Sequence, residues 1–90
     1  MALETKDVPL TKDTFVAIGT NVTSLSAVSP SGTPFFVHVV ATSGGAPADD
    51  TEDAVPVDVN QSNQFSYLGG AADIYALVKY DDVSLKVIRE

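Results

Sequence analysis

The sequence predicts an all-β domain, a small antiparallel β-sandwich or β-barrel with a jelly-roll-like arrangement of about six to eight strands. Three observations carry this prediction. No window of helical length places apolar residues at i, i+3, i+4 and i+7 among helix-forming neighbours. Val, Ile, Thr, Phe and Tyr recur instead in short runs. Clusters of Gly, Pro, Asn, Asp and Ser separate those runs at the spacing expected of strand connections.

Taken in order, residues 6–10 form a weak segment in which Pro9 cannot donate to a ladder, so the first ten residues read as a short N-terminal arm or an edge strand. Residues 14–19 (TFVAIG) are the first convincing strand, and residues 21–28 (NVTSLSAV) a second with a Ser/Thr-rich face. The run Ser29-Pro30-Ser31-Gly32-Thr33-Pro34 is the strongest turn signal and should join adjacent antiparallel strands. Residues 35–41 (FFVHVVA) are almost uninterruptedly apolar, which predicts a strand covered on both faces at the centre of the sheet.

Residues 42–53 (TSGGAPADDTED) form a long polar connection, expected to be exposed and to reach toward a neighbour. Residues 54–59 alternate Val55, Val57 and Val59 against Pro56 and Asp58, and Pro56 places this strand at an edge. Residues 64–68 (QFSYL) follow, with Gly69-Gly70 expected to reverse the chain. Residues 73–80 alternate Ile74, Ala76, Val78 and Tyr80 against Tyr75, Leu77 and Lys79. Asp81-Asp82 then reads as a hairpin turn into residues 83–89. There Val83, Leu85 and Val87 face inward, and Ile88 is an apolar outward residue in need of a partner. No repeat, linker or second domain interrupts residues 1–90.

A domain of 90 residues buries only about 60 to 65 per cent of the surface of its unfolded chain. With no cysteine, it has no disulfide framework or zinc site to reinforce it. It is 44% hydrophobic and only 19% charged, lean in charge for a small monomer, so part of the apolar content is expected to cover a contact between copies. Twelve acidic and five basic residues give a net charge of −7 without a cationic patch, which disfavours binding to nucleic acid. The charged N-terminal residues and the lack of a long apolar stretch predict synthesis in the cytoplasm without a signal peptide and no membrane span. The sequons at Asn21 and Asn60 are therefore read as coincidental.

Little in the chain points to catalysis, and no cofactor is expected. His38 is the only histidine, and it sits in the middle of a strand and not on a loop above a cleft, so it reads as a packed residue or a subunit contact. Asp49, Asp50, Glu52 and Asp53 do not match a calcium-loop pattern, since Ala54 stands where glycine is needed and Asn60 where a bidentate carboxylate is needed. They read as a solvated acidic loop and not as a metal site. Tyr67, Tyr75 and Tyr80 offer a carbohydrate-binding or adhesin-like alternative, weighed against packing.

Three stretches, TNVTSLSAVSPSGTPFFVHV, SGGAPADDTEDAVPV and FSYLGGAADIYALVKYDDVSLKVI, together resemble small structural proteins of tailed bacteriophages, the head-decoration or head-fibre-like β proteins. The resemblance implies a subunit that is commonly trimeric and attached to a capsid, with no catalytic residues to carry over. It implies a virion location, and a role in decorating and stabilising the capsid. On this reading Phe36, His38, Val40 and Ile88, with Asp49, Asp50 and Asp53 of the acidic loop, are the candidate contacts to other copies or to the virion.

Overall fold

The computed structural model describes residues 3–42, 45, 54–58 and 62–90. These form six strands and no helix: β1 (Glu4–Leu10), β2 (Val16–Val28), β3 (Phe35–Ala41), β4 (Val55–Val57), β5 (Gln64–Leu77) and β6 (Val83–Arg89). All pair antiparallel in one sheet of order β1-β6-β2-β5-β3-β4. The expected all-β class is therefore present. The sheet does not close into a barrel, because β1 and β4 are its two ends.

The two long strands explain how one sheet makes two layers. β2 has 13 residues and β5 has 14, and they pair along their whole lengths. β6 pairs only with residues 25–28 of β2, and β3 only with residues 72–77 of β5. The β2–β5 ribbon thus belongs at one end to a layer β1-β6-β2-β5 and at the other to a layer β2-β5-β3-β4. One continuous apolar cluster fills the space between them. Val8, Leu10, Leu85 and Val87 enter it from the first layer, and Phe35, Val37, Val57, Ile74 and Ala76 from the second. The architecture is that of a small β-sandwich made by folding a single sheet over its own core.

The fold-back is visible in the register. On β2, Ala17 and Gly19 stand opposite consecutive residues of β5, Tyr75 and Ile74, so Ile18 is extra, and a second shift lies between Gly19 and Val22. On β5 the compensating extra residues lie between Leu68 and Ala72. Asn21 takes the left-handed conformation at φ 54°, a region that Asn tolerates better than most residues. Its N–H donates to Oδ1 of the buried Asp73 at 2.8 Å. The Ile18 carbonyl accepts a 2.6 Å bond from Arg89 Nη1, and Arg89 Nη2 also pairs with Glu4 at 2.6 Å. One side chain of β6 therefore ties the bulge of β2 to β1.

Several sequence expectations are corrected by this topology. Residues 14–19 and 21–28 are not two strands, since β2 runs through as one bent strand. The turn at residues 29–34 forms, with Gly32 N–H bonded to Ser29 O at 3.1 Å and Gly32 at φ 80°, but it does not join neighbours. β5 lies between β2 and β3. β3 is not central either: it lies beside the edge strand β4, and its Val39 is 39% exposed. Gly69 and Gly70 do not reverse the chain, because β5 continues through them as one strand and neither has a positive φ.

Asp81 and Asp82 do not make a hairpin, because β2 lies between β5 and β6. Residues 78–82 instead carry the chain from one layer to the other, held where Asp13 N–H donates to Val78 O at 2.7 Å and Lys12 N–H to Asp82 Oδ1 at 2.8 Å. Of the two readings of the N-terminal segment, the edge strand is the one present and not the free arm, since β1 ends the sheet. Residues 4–10 pair with β6 from Glu4↔Arg89 to Leu10↔Val83 and bury Val8 and Leu10. The edge position of Pro56 and the inward Leu85 and Val87 are as expected.

Candidate interaction surface

Alternation along β3 decides where three of the candidate residues point. Phe35 and Val37 enter the core, so Phe36, His38 and Val40 lie on the outer side of the second layer. There they stand opposite Leu77, Tyr75 and Asp73 of β5. This face is partly covered by the chain's own side chains. The Phe15 ring meets His38 edge-on, with centroids 6.5 Å apart at 64°. Lys79 Nζ lies 4.9 Å from the Phe36 ring centroid, within cation–π range. Phe15 and Leu77 are both buried without belonging to the central cluster. They make a second, smaller apolar patch on the outside of the sheet. Phe36, His38 and Val40 are accordingly half-buried.

Ile88 lies on the other side of the molecule. Leu85 and Val87 face the core from β6, so Ser84, Lys86 and Ile88 face out from the first layer. Two rows of opposed residues cross that layer. One runs Thr5, Ile88, Ser26, Ser66, and the next Asp7, Lys86, Val28, Gln64. Thr5, Ile88 and Ser26 of the first row and Lys86, Val28 and Gln64 of the second line a shallow depression of ≈ 300 Å³. Ile88 is 48% exposed within it. Lys86 Nζ meets Asp7 Oδ1 at 2.6 Å, and both side chains are more than half exposed. A pair so open to solvent contributes at most about 1 kcal/mol, so its main effect here is to leave the face locally neutral. The candidate residues thus do not gather into one patch. Phe36, His38 and Val40 share one outer face and Ile88 sits on the opposite one, while Asp49, Asp50 and Asp53 lie outside the described residues.

The three tyrosines are also dispersed. Tyr75 stands opposite His38. Tyr80 is exposed in the crossing between layers, and Tyr67 packs partly against the core. The Tyr67 hydroxyl donates to Gly70 O at 2.6 Å. Among the described residues no three His, Cys, Asp or Glu side chains come together as a metal site. Nor is any helix among the described residues long and apolar enough to cross a membrane.

Sequence reasoning overlooked one exposed feature, the outer edge of residues 64–68 in the first layer. Strand β2 covers one side of this stretch, and among the described residues no strand covers the other. Leu68 is 86% exposed. The signal was present in QFSYLGG, a strand without charge or proline beside two glycines, but the glycines were read as a turn. In comparison with known proteins, the chain matches no family model, and no curated protein or solved structure matches it.

Proposed function

We propose that the chain is a self-associating structural subunit of the tailed-bacteriophage virion, a head-decoration type of protein that docks on the capsid. The observation that carries this reading is the outer face of the first layer. On a chain of net charge −7, this face presents short Ser, Thr and Gln side chains around Val28 and Ile88, with the Asp7–Lys86 pair closing its charge. A shallow, neutral surface of this kind suits docking on a large protein lattice, where an acidic surface elsewhere keeps the particles apart. The lean charge of the whole chain supports the same reading, and the resemblance to phage head proteins supplies the partner. The three tyrosines share no platform, so the adhesin-like alternative lacks a flat aromatic site among the described residues.

Size-exclusion chromatography with light scattering on the full chain tests the self-association directly. A mass that is a multiple of the 9.4 kDa chain is expected at high concentration, three-fold if the number implied by the resemblance holds. A strictly monomeric protein at every concentration would remove the main support.

A further inference from the structure

We propose that residues 64–68 of β5 form a self-complementary strand edge through which two copies of this chain pair antiparallel about a two-fold axis. The proposal rests on the self-association reading above, but not on its three-fold number. It follows from a comparison of the free strand edges. Among the described residues the folded sheet leaves four of them: β1 and residues 64–68 of β5 in the first layer, β4 and residues 16–20 of β2 in the second. An unpaired edge offers a row of N–H and C=O groups to any added strand, and soluble proteins blunt such edges with proline, charge, bulges or short length.

Three of the four are blunted in those ways. β1 carries Pro9 together with Glu4, Lys6 and Asp7. A two-fold pairing centred on Lys6 or Asp7 would set identical charges opposite one another. β4 is three residues long with Pro56 in the middle. The edge of β2 is bulged, and its Ile18 carbonyl is already taken by Arg89. Residues 64–68 have none of these protections. They contain no charge and no proline, and Gln64, Ser66 and Leu68 are exposed. No hydrogen bond runs from their outer edge to another described strand.

The same stretch is complementary to itself. An axis through Ser66 sets Ser66 opposite its own copy and Gln64 opposite Leu68 of the second copy. On the inner side it sets Phe65 opposite Tyr67 of the second copy. Phe65 and Tyr67 already pack against the core, so the aromatic pair extends that core across the junction. No like charges meet, which matters on a chain of net charge −7. The pairing also has natural ends. Beyond Gln64 the chain turns, with Asn63 and Ser62 both at positive φ. Beyond Leu68 the Gly70 carbonyl is occupied by the Tyr67 hydroxyl. The contact is therefore short, and the dimer depends on concentration. Strand addition at an open edge is a general mode of association.

The chain has no cysteine, so a single introduced thiol can only link one copy to another. Directly opposed residues of paired strands have Cβ atoms about 4.5–5.5 Å apart, close enough for a modest adjustment to form a disulfide. Mild oxidation of Ser66→Cys should trap a covalent dimer, while Ser84→Cys, exposed on β6, should stay monomeric under the same conditions. By light scattering the unmodified chain should reach twice its monomer mass. Ser66→Lys, folded by circular dichroism, should weaken dimerisation at least tenfold, and mixing it with Ser66→Glu should restore a mixed dimer. Failure of Ser66→Cys to cross-link, or equal cross-linking of Ser84→Cys, overturns the proposal. So does a folded Ser66→Lys that still dimerises as well as the parent. If Ser66→Lys does not fold, the cysteine pair decides. A trimer whose Ser66→Cys form does not cross-link overturns this edge while leaving self-association intact, whereas a monomer at all concentrations overturns both.

Discussion

The β2–β5 ribbon bends twice at the same level of the molecule, once in each strand, and the two bends are built differently. The bend in β2 is held by side chains of the two neighbouring strands, β5 and β6. Asn21 N–H is bound by the buried Asp73, the freed Ile18 carbonyl by Arg89, and Gly19 is packed against Leu25 and Val22. The bend in β5 is held by a single exposed hydrogen bond, with the Tyr67 hydroxyl reaching Gly70 O across a pair of exposed glycines. A strand can thus be turned over a core either by satisfying the polar groups a bulge releases or by removing side chains so that the backbone is free to curve. The first route gives a fixed, buried corner, and the second leaves backbone at the surface.

Substitutions at the two bends should separate these routes, and urea unfolding with an unchanged m-value measures each. The largest loss is expected from Asp73→Ala, which strips the charged acceptor from the Asn21 N–H in a part-buried site and should cost about 2–3 kcal/mol. An effect below about 0.5 kcal/mol would mean that the β2 corner does not depend on that bond. Gly19→Ala comes next. Its new Cβ would lie 2.7 Å from Leu25 Cδ1 and 3.1 Å from Val22 Cγ2, an overpacking expected to cost about 1–3 kcal/mol. Tyr67→Phe removes only the exposed bond to Gly70 and should cost about 0.5–1.5 kcal/mol.

Gly70→Ala sharpens the comparison most, because its sign is opposite. Nothing lies within 4 Å of the Cβ position at Gly70, and its φ is not positive. Reduced freedom of the unfolded chain should then stabilise the protein by about 0.4–1 kcal/mol. A loss at Gly70 equal to that at Gly19 would show the two corners to be alike after all.

Strand identity was legible in the sequence wherever alternation set one side chain inward and the next outward. Leu85 and Val87 are buried as their spacing requires, and Pro56 placed its strand at an edge because it lacks a donor. The pairings were not legible. Glycine pairs and aspartate pairs serve turns and bends equally well, so Gly69-Gly70 and Asp81-Asp82 were read as reversals. Only the long-range partners, β2 for β5 and β1 with β2 for β6, distinguish the two uses. The candidate surface shows the same limit. The outward direction of Ile88 followed from period two, but the placement of His38 and Ile88 on opposite sides of the core depends on which layer each strand joins.

The same reasoning applies to the edges. β1 and residues 64–68 of β5 border the same layer, one guarded by charge and proline and the other bare. Amide hydrogen exchange on the full chain at low and high protein concentration compares them in one experiment, because outer-edge N–H groups are protected only when a further strand covers them. Protection that rises with concentration within residues 64–68 and stays constant along β1 is the predicted result. Protection that does not change with concentration, or that rises along β1 instead, would contradict the account.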